Sequence, residues 1–96
     1  MTAYLFVTIK AHDFAWAEAY QANVPAIMQR HGGEFLTISD QVERLEGTGP
    51  NPDRAALMTF PSVEAVKAFV TDPDYSPYRA ARLAASVGDA FVFGAS

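Results

Sequence analysis

The chain contains no cysteine. Disulfides, thiolate metal sites and a cysteine nucleophile are therefore excluded, and a reducing compartment fits. Histidine is nearly as scarce. His12 and His31 are the only two; they lack the helical i, i+4 spacing of zinc motifs, and no dedicated metal site is expected. The "DPD" at 72–74 lacks the other positions of a calcium loop. No serine sits in a nucleophile elbow, which leaves hydrolase triad chemistry without support. Cations are few: seven Lys and Arg face eleven Asp and Glu, for a net charge of −4. They are scattered, whereas phosphate backbones need clustered cations, so neither nucleic acid nor an anionic membrane surface is an expected partner. No apolar run approaches a membrane span. The opening "MTAYLFVTIK" has no positive leader and no small-residue cleavage site, so a cytoplasmic protein is expected.

What is abundant is hydrophobic surface. Half of the 96 residues are hydrophobic and 19% are charged. This length fits a single domain over 1–96, and a chain so short buries only about 60–65% of its unfolded surface. Residues 3–10 read as a strand, rich in β-branched and aromatic side chains. Asp13 is placed to cap a helix, and Trp16, Tyr20, Val24, Ile27 and His31 then follow at steps of four, four, three and four, one helical face. Pro25 predicts a kink or break near Asn23 and Val24. Residues 34–39 form a second strand, which "QVERLE" continues past an irregularity at Asp40. The Gly- and Pro-rich 47–53 is a loop, and 54–60 is a third strand. Ser62 caps a second helix with Val63, Val66, Phe69 and Val70 inward. "TDPDYSP" breaks it, and a further helix runs from about Ser76, with Pro77 in its first turn, to about Ser86. "DAFVFGA" is the last strand.

The order β-α-β-β-α-β, with the second helix in two pieces, predicts an α+β, ferredoxin-like fold: an antiparallel sheet with helices on one face. Alternation puts Leu5, Val7 and Ile9 on one face of the first strand and Tyr4, Phe6 and Thr8 on the other. Phe91 and Phe93 oppose Val92. Both faces of the sheet are largely apolar, yet the helices cover only one. Exposed apolar area of that kind marks an interface, so a homodimer through the open sheet face is expected.

Asp13 with Tyr20, Pro25, "GGEFL", "LEG" at 45–47, "FPS" at 60–62 running into "EAVKAF", "DPDY" at 72–75, Arg82 and "DAFVFG" occur in that order. Through these pieces almost the whole chain resembles the bacterial family catalogued as domain of unknown function 1330, within the dimeric α+β barrel superfamily. Trp16 and Tyr78 depart from the residues usual there. The resemblance implies a ferredoxin-like protomer whose sheet faces a partner's sheet, with a ligand cleft between sheet and helices. It implies no particular reaction, since relatives range over cofactor-free monooxygenases, haem-binding and haem-degrading proteins and lactone isomerases.

The residues offer several candidates for chemistry. The glycines of "HGG" follow a helix and precede a strand, the reverse of a phosphate loop. Gly32 suits the left-handed residue that ends a helix. His31 in the last turn is then a dipole-complementing stop signal; as a functional residue it is a candidate base, proton shuttle or haem ligand. In "DYSPYRAARLA", Tyr78 and Arg82 share a helical face, with Tyr75 and Arg79 close by. Arginine suits a carboxylate or enolate; the ordinary reading pairs Arg82 with Glu46 or Asp89. Trp16 and Tyr20 wall a pocket if one lies under the first helix, with Met58 and Phe60 as its floor.

Two functional classes follow. One is a cofactor-free oxygenase, isomerase or lyase acting on a small aromatic or weakly acidic molecule. Arg82 stabilises its oxyanion, Tyr75 or Tyr78 donates a proton, and His31 is the base. The other is a non-catalytic dimer that binds a ligand or a protein. No cofactor is implied by either; haem bound through His31 is a third possibility.

Overall fold

The computed structural model describes residues 2–95. Its elements are β1 (Ala3–Ala11), α1 (Ala17–Arg30), β2 (Glu34–Ser39), β3 (Arg54–Phe60), α2 (Val63–Val70), α3 (Ser76–Ala85) and β4 (Ser86–Gly94). The four strands form one antiparallel sheet in the order β2-β3-β1-β4. This is the expected ferredoxin-like arrangement.

Register explains which side chains meet the helices. Ala3 pairs with Phe60 and Leu5 with Met58, and these four are buried with Val24, Ile27 and Met28 of α1 and Val66 and Phe69 of α2. Residues paired across antiparallel strands share a face, so one face of the sheet carries the core. The other carries Tyr4, Phe6, Leu57, Phe91 and Phe93 by the same parity. Phe91 and Phe93 are 58% and 53% exposed, and the Phe93 ring stacks on Tyr4 at 5.4 Å. An aromatic strip thus lies open on the side without helices.

Several local expectations are corrected. Pro25 does not break α1, which runs unbroken from Ala17 to Arg30. The proline removes only its own donor to the Gln21 carbonyl, and Val24, Ile27 and Met28, buried on either side of it, hold the helix on the core. Packing outweighs propensity there. Asp13 caps the turn before the helix, its Oδ1 accepting the Ala15 N–H at 2.8 Å; the helix itself begins after Trp16 with no side-chain cap. The "QVERLE" segment forms no strand. β2 ends at Ser39, whose Oγ accepts the Gln41 N–H at 3.0 Å, and its irregularity is a register shift between Phe35 and Thr37. β4 starts at Ser86 rather than Asp89, carrying Gly88 within it. A Cβ on Gly88 would collide with the backbone carbonyl of Thr8, so glycine is what allows β1 and β4 to pair so closely.

Other features stand where expected. Ser62 Oγ accepts the Ala65 N–H at 3.1 Å and caps α2. Pro77 lies in the first turn of α3. Gly32 has φ +78° and closes α1. Among the described residues, no helix is long and apolar enough to cross a membrane.

Candidate functional site

A cavity of about 380 Å³ lies between α1 and the helix-facing side of the sheet. Its floor is Val7, Ile9, Ala56 and Met58, residues of matching parity on β1 and β3. Ala56, between Arg54 and Met58 on that face, is too small to fill the space beneath α1. Trp16, Tyr20 and Pro25 form the helical wall, and Phe35 and Ile38 of β2 line the edge. The shift in β2 lets both of these reach the same face: Phe35 pairs with Met58, and Ile38 with Ala56.

The polar groups are few. Tyr20 and Tyr75 hydroxyls lie 2.7 Å apart. Tyr20 lines the cavity, whereas Tyr75 is buried behind it, 3% exposed, its ring stacked on Phe69 at 4.3 Å. Burial pushes the Tyr20 phenol well above the usual tyrosine range; the Tyr75 hydroxyl adds to this and the nearby Arg82 guanidinium opposes it. Tyr20 is therefore a donor at neutral pH and a poor base.

Arg82 reaches the cavity from α3. Its Nε is buried with no hydrogen-bond partner among the described residues. The ion pairs found there are Lys10–Asp53, Arg30 with Asp72 and Asp74, and His31–Asp72. Arg82 is in none of them, so neither Glu46 nor Asp89 pairs with it.

The sequence-predicted residues thus divide. Trp16, Tyr20, Met58 and Arg82 meet at one cavity. Tyr75 supports it from behind. Phe60 is a core residue packed on Phe69, Tyr78 is half-buried against the core, and Arg79 is exposed on α3. None of these three lines the cavity. His31 lies at the far end of α1, its Nε2 2.7 Å from Asp72 Oδ2 and its ring edge against Phe69. The hydrogen bond from His31, the Asp74 N–H and the Arg30 charge hold the Asp72 carboxyl below the usual range.

Two cavity residues escape a reading by helical spacing alone. Gln21 follows Tyr20 on α1, and Arg54 opens β3. Strand alternation back from Met58 through Ala56 reaches Arg54, and that parity was the available signal. The Arg54 guanidinium stands 5.2 Å over the Phe14 ring beside the start of α1.

Residues 2–95 match the model of the domain of unknown function DUF1330, and the chain belongs to that family. No curated protein matches it by sequence. Among solved structures it is similar to SnoaB, a cofactor-independent oxygenase from Streptomyces nogalater, with 20% identity, a TM-score of 0.67, and coverage of 99% of this chain and 93% of that one. A protein of unknown function from Rhodopseudomonas palustris gives 19% identity, a TM-score of 0.72, and coverage of 96% and 78%. A dimeric ferredoxin-like protein of unknown function from a Jannaschia species gives 13%, 0.65, and coverage of 99% and 100%. These likenesses establish a common fold.

Proposed function

We propose that this member of the DUF1330 family is a homodimer that binds a small, flat, weakly acidic organic molecule between α1 and the sheet. Arg82 is the anion's partner and Tyr20 the hydrogen-bond donor. The observation that carries this reading is Arg82 itself, a guanidinium lining an apolar cavity with its Nε buried and unpaired. With no acidic side chain among the described residues competing for it, the Arg82 side chain lining the cavity offers charged donors to a ligand oxygen. Tyr75 has no other acceptor among the described residues. It donates to Tyr20, which frees the Tyr20 proton for the ligand. The open aromatic face, with Tyr4, Phe91 and Phe93, supports the second copy.

The same pair suits a developing oxyanion, and SnoaB is a cofactor-independent oxygenase on this fold. A cofactor-free oxygenase, isomerase or lyase step fits the cavity only for a substrate that arrives ionised. Among the described residues, no His, Asp or Glu lines it. That favours the second reading, non-catalytic binding, over any reaction that needs an enzymic base. We assign no proton transfer to His31.

Trp16 is the chain's one tryptophan and lines the cavity, so its fluorescence reports occupancy. Titration with benzoate should saturate, and Arg82→Ala should weaken binding at least about tenfold, the size of one charged hydrogen bond. Arg82→Lys, which keeps the charge but loses the fork, should fall between. Equal benzoate affinity in folded Arg82→Ala would refute the role of Arg82.

A further inference from the structure

The cavity is a charge anomaly. The protein carries seven Lys and Arg against eleven Asp and Glu, yet the cavity lining holds two arginines and no carboxylate among the described residues. Those arginines are Arg54 and Arg82, and neither is in an ion pair there. The neighbouring Asp53 feels the Arg54 charge but is outside ion-pair distance of it, and its oxygens bond elsewhere: Oδ1 takes Lys10 Nζ at 3.2 Å and Oδ2 the Ala11 N–H at 2.9 Å. Arg54 instead lies over the Phe14 ring at 5.2 Å, an interaction that orients the guanidinium without neutralising it.

Topology brings the two cations to one end of the cavity from different sides. Arg54 pairs with Ile9 across the β1–β3 ladder. Arg82 lies one turn before α3 passes into β4 at Ser86, which pairs with Ala11 on the other edge of β1. Both therefore stand near the C-terminal end of β1, one from the β3 flank and one from the α3 flank. Two like charges over an apolar floor repel each other, and a single carboxylate compensates only one of them.

From this juxtaposition we infer that the ligand is a planar dianion, with Arg54 as its second anchor and the residue that sets charge specificity. This rests on the binding role proposed above for the same cavity. The chemical class is an aromatic ring bearing two acidic oxygen groups. Arginine's fork suits each of them, and the Trp16, Phe35 and Met58 side chains contact the ring.

The test is a charge series on one ring, read by Trp16 fluorescence: isophthalate with two negative charges, benzoate with one, benzyl alcohol with none. Isophthalate should bind about tenfold more tightly than benzoate, and benzoate more tightly than benzyl alcohol. Arg54→Gln should shrink the isophthalate-to-benzoate ratio to under threefold, and Arg54→Lys should keep most of it. Both variants are checked for an unchanged thermal melt. If benzoate binds but isophthalate gains nothing over it, or if folded Arg54→Gln keeps the full ratio, the dianion inference is overturned while the cavity reading stands. If no probe perturbs Trp16, both fall together.

Discussion

Tyr20 and Tyr75 bring two hydroxyls within 2.7 Å beside a guanidinium, and what each proton does follows from burial. Tyr75 is enclosed and Tyr20 faces the cavity, so in the proposed binding mode Tyr75 donates inward to Tyr20. Removing the Tyr75 hydroxyl while keeping its ring, by Tyr75→Phe, should cost on the order of 1 kcal/mol of stability. It should also lower the Tyr20 ionisation, because the hydroxyl is one of its raising causes. Burial, the larger cause, remains, so Tyr20 should still ionise above its ordinary value of 10.0. Absorbance titration of phenolate in the two proteins checks this. The sign for stability follows from linkage. Tyr20 keeps its proton longer folded than unfolded. Its contribution is therefore complete below about pH 10 and is lost as pH rises toward the folded ionisation. At this scale Trp16, Tyr20, Met58 and Arg82 were legible from spacing and residue type. His31 was misplaced because a shared helical face says nothing of distance along the axis. Fifteen residues separate it from Trp16, roughly 22 Å at the helical rise.

At the scale of elements, two contacts fix how helices meet their neighbours. Ser62 Oγ holds the first turn of α2, so Ser62→Ala should destabilise the protein by about 1 kcal/mol with an unchanged denaturant slope. The His31–Asp72 contact ties the end of α1 to the turn between α2 and α3. Asp72 is held below its ordinary value chiefly by His31. Its contribution is thus present above about pH 4 and lost as pH falls through the depressed folded value. His31→Ala should flatten that acid limb in a pH series of thermal melts. The elements themselves were readable: short runs rich in β-branched and aromatic residues marked the strands, and the 3.6-residue stripe marked α1. Boundaries were harder where one residue type serves two purposes. Gly88 precedes the strand expected from Asp89, but it lies inside β4, where β1 passes too close for a side chain. "QVERLE" reads as a continuation of β2, yet it pairs with no strand and is exposed apart from Val42. Pro25 reads as a break, but buried neighbours on both sides hold α1 to the core.

At the scale of the whole molecule, the apolar excess of the composition divides between two surfaces. One is the core under the helices. The other is the open sheet face, where Phe91 and Phe93 stand more than half exposed. Phe91→Asp should yield a folded monomer at micromolar concentration, measured by sedimentation, because a charge facing its own copy across an apolar interface opposes association. The open face was legible in the sequence because strand parity assigns it directly. The cavity was less so: its volume depends on Ala56 lying opposite the span of α1 between Trp16 and Pro25, a juxtaposition set by β3–β1 register and helix placement together. The most direct measurement is native mass spectrometry of freshly purified protein beside Arg82→Ala. The expected result is twice the 10.4 kDa chain mass carrying a small acidic molecule that the variant loses. A clean monomer at micromolar concentration, or a bound molecule retained unchanged by Arg82→Ala, would contradict it.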